Sequence, residues 1–148
     1  MKKLIIGFAA ILLTSLSVAA QPAPRGVPAV ALNAFQQQFP NARQVEWERR
    51  RDGTFEVEFN IGWMGRDQKA LISPDGNVIK HEEDISSSSL PEAVKKQIRS
   101  EFAGYRIDDA KKVNEAGQVS YVVDLESRSG DVKVQFDAQG KILKERLD

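Results

Sequence analysis

Cysteine is absent from the 148 residues, and histidine occurs once. The first absence excludes disulfides, thiolate metal sites, cysteine nucleophiles and a lipid-modified cysteine. The second leaves His81 as the single position around which a histidine-based triad could be built. An excess of charge of one sign is also lacking: 21 Lys and Arg face 21 Asp and Glu. That balance gives no electrostatic case for nucleic acid or an acidic membrane as a partner. No apolar run reaches the ~20 residues that a membrane-spanning helix needs.

The longest apolar run does have a meaning. Lys2 and Lys3 precede Leu4 to Val18, and Val18-Ala19-Ala20 places small residues before Gln21. A short positive stretch, an apolar run and a small-residue site form the grammar of a cleavable signal peptide over residues 1–20. A membrane anchor would need a longer run and a basic stop signal. Removal of Lys2 and Lys3 leaves nineteen basic against twenty-one acidic residues, a net charge of −2. The expected product is a soluble periplasmic protein, or a secreted one, with no stable membrane insertion after cleavage. Without disulfides it must be held by packing alone, and the remaining length suffices for one domain with a real core.

Residues 21–28, QPAPRGVP, read as a flexible leader. The remainder, 29–148, reads as one domain of two repeats, 29–85 and 90–148. Ala31, Phe35 and Phe39 superimpose on Val94, Ile98 and Phe102, with four-residue spacing in both copies, which places three apolar side chains on one helix face. Val27-Pro28 superimposes on Leu90-Pro91. Ser89 with Glu92 has the spacing of a capping box. After each helix the period becomes two. Val45 and Trp47 alternate with Glu46 and Glu48, and Phe55, Val57 and Phe59 with Glu56 and Glu58. Tyr121, Val123 and Leu125 repeat the second of these patterns. Turn signals at Asp52-Gly53, Pro74-Asp75-Gly76, NEAG, RSGD and DAQG separate four strands in each copy.

Short connections imply antiparallel pairing, and strict alternation implies one covered face. The expected fold is α+β: two αββββ repeats forming an antiparallel sheet of about eight strands, with two helices packed on one face. Glu46, Glu48, Glu56, Glu58, Asp124, Lys133 and Gln135 should then lie on the open face.

The chain resembles the PepSY-like, beta-lactamase-inhibitor-like periplasmic proteins in Phe39-Pro40, Val45 to Trp47, Phe55 to Phe59 and Pro74 to Gly76. In the second copy Leu90 to Val94, Phe102 to Tyr105, Tyr121 to Leu125 and Phe136 to Leu143 continue the likeness. The resemblance implies a duplicated helix-plus-four-strand fold and export to the periplasm. It carries no defined activity and no functional motif.

Chemical sites are few. His81-Glu82-Glu83-Asp84 could supply hard-metal ligands, but successive strand residues point to opposite faces, so a solvated strand end is expected. Serines 86–89 lack nucleophile-elbow spacing and read as a linker ending in the helix cap. Asp137 to Gly140 lacks the later oxygen ligands of a calcium loop and reads as a hairpin turn. Glu56 and Glu58 share a strand face with no pocket to desolvate them, and Arg49-Arg50-Arg51 reads as solvated. No catalytic residue, cofactor or metal is therefore expected, and the protein is not expected to be an enzyme.

Asn60 to Arg66 is different, because Ile61, Trp63 and Met64 stand where polar turn residues are expected. Either the loop folds back over one end of the core, or it is an exposed apolar tip that anchors a partner, since Trp, Met and Arg are enriched at such sites. Trp63, Met64 and Arg66 are the candidate partner-binding residues. Two functions are consistent with these features. One is a non-enzymatic binding module that contacts another envelope protein, restraining or sensing an enzyme there. The other is a carrier or sensor of a small ligand or metal ion, which would need a polar pocket between helices and sheet.

Overall fold

The computed structural model describes residues 24–62 and 65–147. The signal peptide expected over 1–20 and the start of the leader lie outside them. The elements are α1 (Ala29–Gln38), β1 (Ala42–Arg49), β2 (Phe55–Ile61), β3 (Arg66–Ile72), β4 (Val78–Asp84), α2 (Glu92–Glu101), β5 (Arg106–Glu115), β6 (Gln118–Ser127), β7 (Gly130–Asp137) and β8 (Ile142–Leu147). A 3-10 turn at Ser87–Ser89 precedes α2. The eight strands form one antiparallel sheet in sequence order. The architecture is α+β, two αββββ units joined edge to edge where β4 pairs with β5.

The covered face follows from register. Phe55, Val57 and Phe59 pair with Ile72, Ala70 and Gln68, and Ala70 and Gln68 pair with His81 and Glu83. His81 and Glu83 pair with Asn114 and Lys112. Past β5 the same face continues through Ala110, Val123 and Val134. Both helices pack on this face. The first core gathers Ala31, Phe35 and Phe39 with Val57, Phe59, Ala70 and Ile72. The second gathers Val94, Ile98 and Phe102 with Val123, Leu125, Val132, Val134 and Phe136. The three matched apolar positions of each helix are all buried. Burying each large side chain stabilises the fold by about 1.5–3 kcal/mol, and Phe35 adds edge-on ring contacts with Trp47 at 5.3 Å and Phe59 at 5.0 Å. Val27, in the stretch read as a leader, packs against the first core.

The repeat extends to its turns. The β3–β4 turn brings Gly76 against the first turn of α1, where an added Cβ would lie 3.0 Å from the Val30 carbonyl oxygen. The β7–β8 turn brings Gly140 against α2, where a Cβ would lie 2.6 Å from the Ala93 carbonyl oxygen. Both glycines have positive φ, so the turn and the close approach make the same demand.

The expected capping box does not form. Pro91, in extended conformation, occupies the N-cap of α2 without a side-chain cap bond. Ser89 sits two residues too early, its hydroxyl 2.8 Å from that of Ser86. Glu92 instead accepts from Arg99 at 2.8 Å and pairs with Lys95 at 3.2 Å.

Candidate functional site

The face opposite the helices carries the other half of each strand's alternation. Glu46 and Glu48 of β1 pair with Glu58 and Glu56 of β2, and Glu58 pairs with Lys69 of β3. Lys69 pairs with Glu82 of β4, and Asp84 pairs with Lys111 of β5. Asp124 and Lys133 continue the face in the second repeat. The residues expected on this side are there, on a sheet face that neither helix covers.

This face is hollowed rather than flat. A trough of about 770 Å³ crosses β1 to β5, with Glu46, Glu58, Asp67, Lys69, Glu82, Asp84 and Lys111 on its walls and Gln44 and Asn60 at one end. Two local features shape that end. Gln44 has φ 51°, and the β1–β2 register shifts between Arg43 and Glu46, a bulge that bends the edge strand. The Gln44 side chain meets that of Asn60 at 2.6 Å. Farther along, Val113 and Ser120 face the same side yet are buried, and the Gln135 amide donates to the Ser120 hydroxyl at 2.9 Å.

Charges in the trough are mostly matched. Lys69 lies 2.9 Å from Glu56 and 2.8 Å from Glu58, and Arg50 donates to the second oxygen of Glu56 at 2.5 Å. Hydrogen bonds that Lys69 donates to Glu58 and Glu56 raise its pKa. The Lys69 hydrogen bond, with help from Arg50, lowers that of Glu56 against the opposing effect of burial. Lys111 lies 3.0 Å from Asp84 and 3.4 Å from Asp109. Burial pulls its pKa down, but these carboxylates outweigh burial and the pKa is raised. These pairs order the trough floor more than they stabilise the fold, because exposed pairs contribute only about 0–1 kcal/mol each. Glu56 is thus less exposed than its strand-face position suggested: it lies half-enclosed among two cations.

Arg66, the described member of the sequence-predicted anchor, begins β3 opposite Ile61 and is exposed. Ile61 packs at the margin of the first core. Trp63 and Met64 lie outside the described residues.

His81 is not a solvated strand end. Register puts it on the helix-covered side, half-buried at the joint between the two cores. Its ring lies 4.9 Å from that of Phe39 and stacks on Phe59 at 6.3 Å, and Nε2 is 2.8 Å from Gln68 Oε1. Burial lowers its pKa, partly countered by Glu83 and reinforced by Lys112. Glu82 and Asp84 point to the opposite face, so the metal quartet is not assembled. Among the described residues no three His, Asp or Glu side chains are placed to hold a metal ion. Asp137 Oδ1 accepts from the Gln139 and Lys141 amides at 2.9 Å each, which makes it a turn-former.

The trough residues on β3 to β5 were missed in the sequence. Their signal was available: Asp67, Lys69, Glu82 and Asp84 occupy the alternate positions to Gln68, Ala70, His81 and Glu83. The pattern was hidden because the covered positions at the joint are themselves polar.

A family model described as "Putative beta-lactamase-inhibitor-like, PepSY-like" matches residues 21–80 and again 75–144. The chain belongs to this family, with one match for each helix-plus-four-strand unit. Among solved structures, a DUF2874 family protein from Bacteroides uniformis is similar with TM-score 0.72 and 19% identity, over 81% of this chain and 88% of that one. A BLIP-like protein from Bacteroides fragilis is similar with TM-score 0.70 and 22% identity, over 81% and 86%. A Bacteroides eggerthii structure described as "putative periplasmic proteins" has TM-score 0.73 and 17% identity, over 82% and 88%. These likenesses establish the fold. A comparison with curated proteins returns no match. No helix among the described residues is long and apolar enough to cross a membrane.

Proposed function

We propose that the mature chain is a non-enzymatic periplasmic binding module that acts by protein–protein contact, restraining or sensing an envelope enzyme. The observation that carries this reading is the uncovered, hollowed sheet face. A trough spanning five strands offers a partner an ordered surface already fixed by ion pairs, so little ordering cost remains on binding. The layer behind it is filled with apolar side chains, which disfavours a carrier that holds a ligand between helices and sheet. The export signal over 1–20 and the description of the B. eggerthii structure support a periplasmic location. The beta-lactamase-inhibitor-like description of the family and the BLIP-like name of the B. fragilis structure support contact with another protein as its mode of action.

The test is capture from the host's periplasmic extract by residues 21–148. The native protein runs beside Glu58→Trp, which fills the trough, and Trp63→Ala with Met64→Ala, which strips the turn. The reading expects one protein to be captured by the native form and lost with both variants. Capture indifferent to both would contradict it. No captured protein, together with a small molecule or metal retained in native mass spectrometry, would transfer the reading to a carrier.

A further inference from the structure

The trough has a charge preference that the whole chain lacks. Its walls hold five carboxylates, Glu46, Glu58, Asp67, Glu82 and Asp84, against the ammonium groups of Lys69 and Lys111, while Lys80 beside the trough pairs with Glu82 at 2.5 Å. Lys69 and Lys111 are already committed, each to two carboxylates. Glu46 and Asp67 are exposed and enter no ion pair with a described residue. A nearly neutral protein therefore keeps more carboxylates than cations on the walls of its open-face trough, and the unmatched ones are Glu46 and Asp67.

The shape limits the occupant. From β1 to β5 the trough spans four strand spacings, ~19 Å, which about six residues of extended chain would fill. A single metal ion is a poor fit, because no three ligating side chains converge among the described residues. A flat anionic surface such as a membrane or nucleic acid would be repelled. A protein segment bearing several cations matches both length and charge.

We propose that the trough docks an extended lysine- or arginine-bearing segment of the partner protein, with Glu46 and Asp67 taking its first cations. This rests on the binding-module reading and names the chemistry of its partner. Electrostatic complementarity of this kind steers encounter and selects partners more than it adds affinity, so binding should weaken with salt.

The test titrates residues 21–148 with acetylated, amidated hexalysine and follows backbone amide shifts by NMR. Hexaglutamate and spermine serve as comparison probes. Hexalysine is expected to shift amides along the trough from Glu46 to Lys111, with hexaglutamate shifting none and spermine binding more weakly. Glu46→Gln with Asp67→Asn should weaken hexalysine about three- to tenfold, the range for two exposed ion pairs. Glu101→Gln with Asp108→Asn, away from the trough, should leave it unchanged. Shifts confined to other surfaces, equal binding of hexaglutamate, or no loss in the trough variant would overturn the proposal. Spermine matching hexalysine would overturn it in favour of a free polyamine. If the variant fails to fold, shift mapping on the native protein still decides. The two claims fail separately. Hexalysine that ignores the trough while extract capture still depends on Glu58 removes the charge claim alone. Hexalysine seated in the trough while capture ignores Glu58→Trp removes the binding-module reading.

Discussion

His81 and Gly140 illustrate how single positions join the two repeats and their layers. His81 is half-buried against Phe39 and Phe59, and its pKa is below the ordinary 6.5. Its neutral form is thus the one the fold prefers. The unfolded chain binds a proton at His81 more readily, so stability should rise with pH through the window just below 6.5 and fall as His81 charges. Urea midpoints of native protein and His81→Gln across about pH 5 to 7 should converge toward the acid end. Parallel curves would show that His81 binds its proton equally well in the folded and unfolded chain, so that burial does not lower its pKa. Gly140 is constrained twice, by φ 84° and by the Ala93 carbonyl oxygen 2.6 Å from any Cβ. Gly140→Ala should cost about 2–4 kcal/mol, whereas Gly117→Ala, with φ 78° but open space around it, should cost about 1 kcal/mol. Chemical denaturation of both variants checks the difference, and equal losses would mean that the β7–β8 turn does not press on α2.

Elements raise two further expectations. Because Pro91 is the N-cap of α2, Ser89→Ala should lower the melting free energy by less than about 0.5 kcal/mol, not the ~1 kcal/mol of a true cap. Calorimetry distinguishes the two. The helices belong to separate clusters. Phe35→Ala should cost about 3–5 kcal/mol and Ile98→Ala about 2–5 kcal/mol, and the double variant should be additive within about 0.5 kcal/mol if unfolding stays two-state. A large coupling energy would mean that the polar joint around His81, Gln68 and Lys112 transmits packing strain between them.

At the scale of the molecule, the sheet order and the helix side were legible because alternation and four-residue spacing each have one physical solution. Phe55-Val57-Phe59 and Tyr121-Val123-Leu125 can be buried only on one face of a strand, and Ala31-Phe35-Phe39 only along one side of a helix. Three things were not legible. Helix capping depends on where the proline falls, and Pro91 moved the cap past Ser89. Val113 and Ser120 are buried on the open face, which alternation does not encode. The placement of His81 depends on register across β3, β4 and β5, where both faces carry polar residues. The candidate site was legible only in part for the same reason: the acidic half on β1 and β2 alternates with aromatics, but its opposite wall on β4 and β5 alternates with polar side chains.

The central claim is that the open face, rather than the helix layer, meets the partner. A photocrosslinking residue, p-benzoylphenylalanine, is placed at position 58 in the trough and, separately, at position 96 on the exposed side of α2, and both proteins are irradiated in the host envelope. The account predicts a discrete protein adduct from position 58 and none from position 96. A discrete adduct from position 96 with none from position 58 would contradict it.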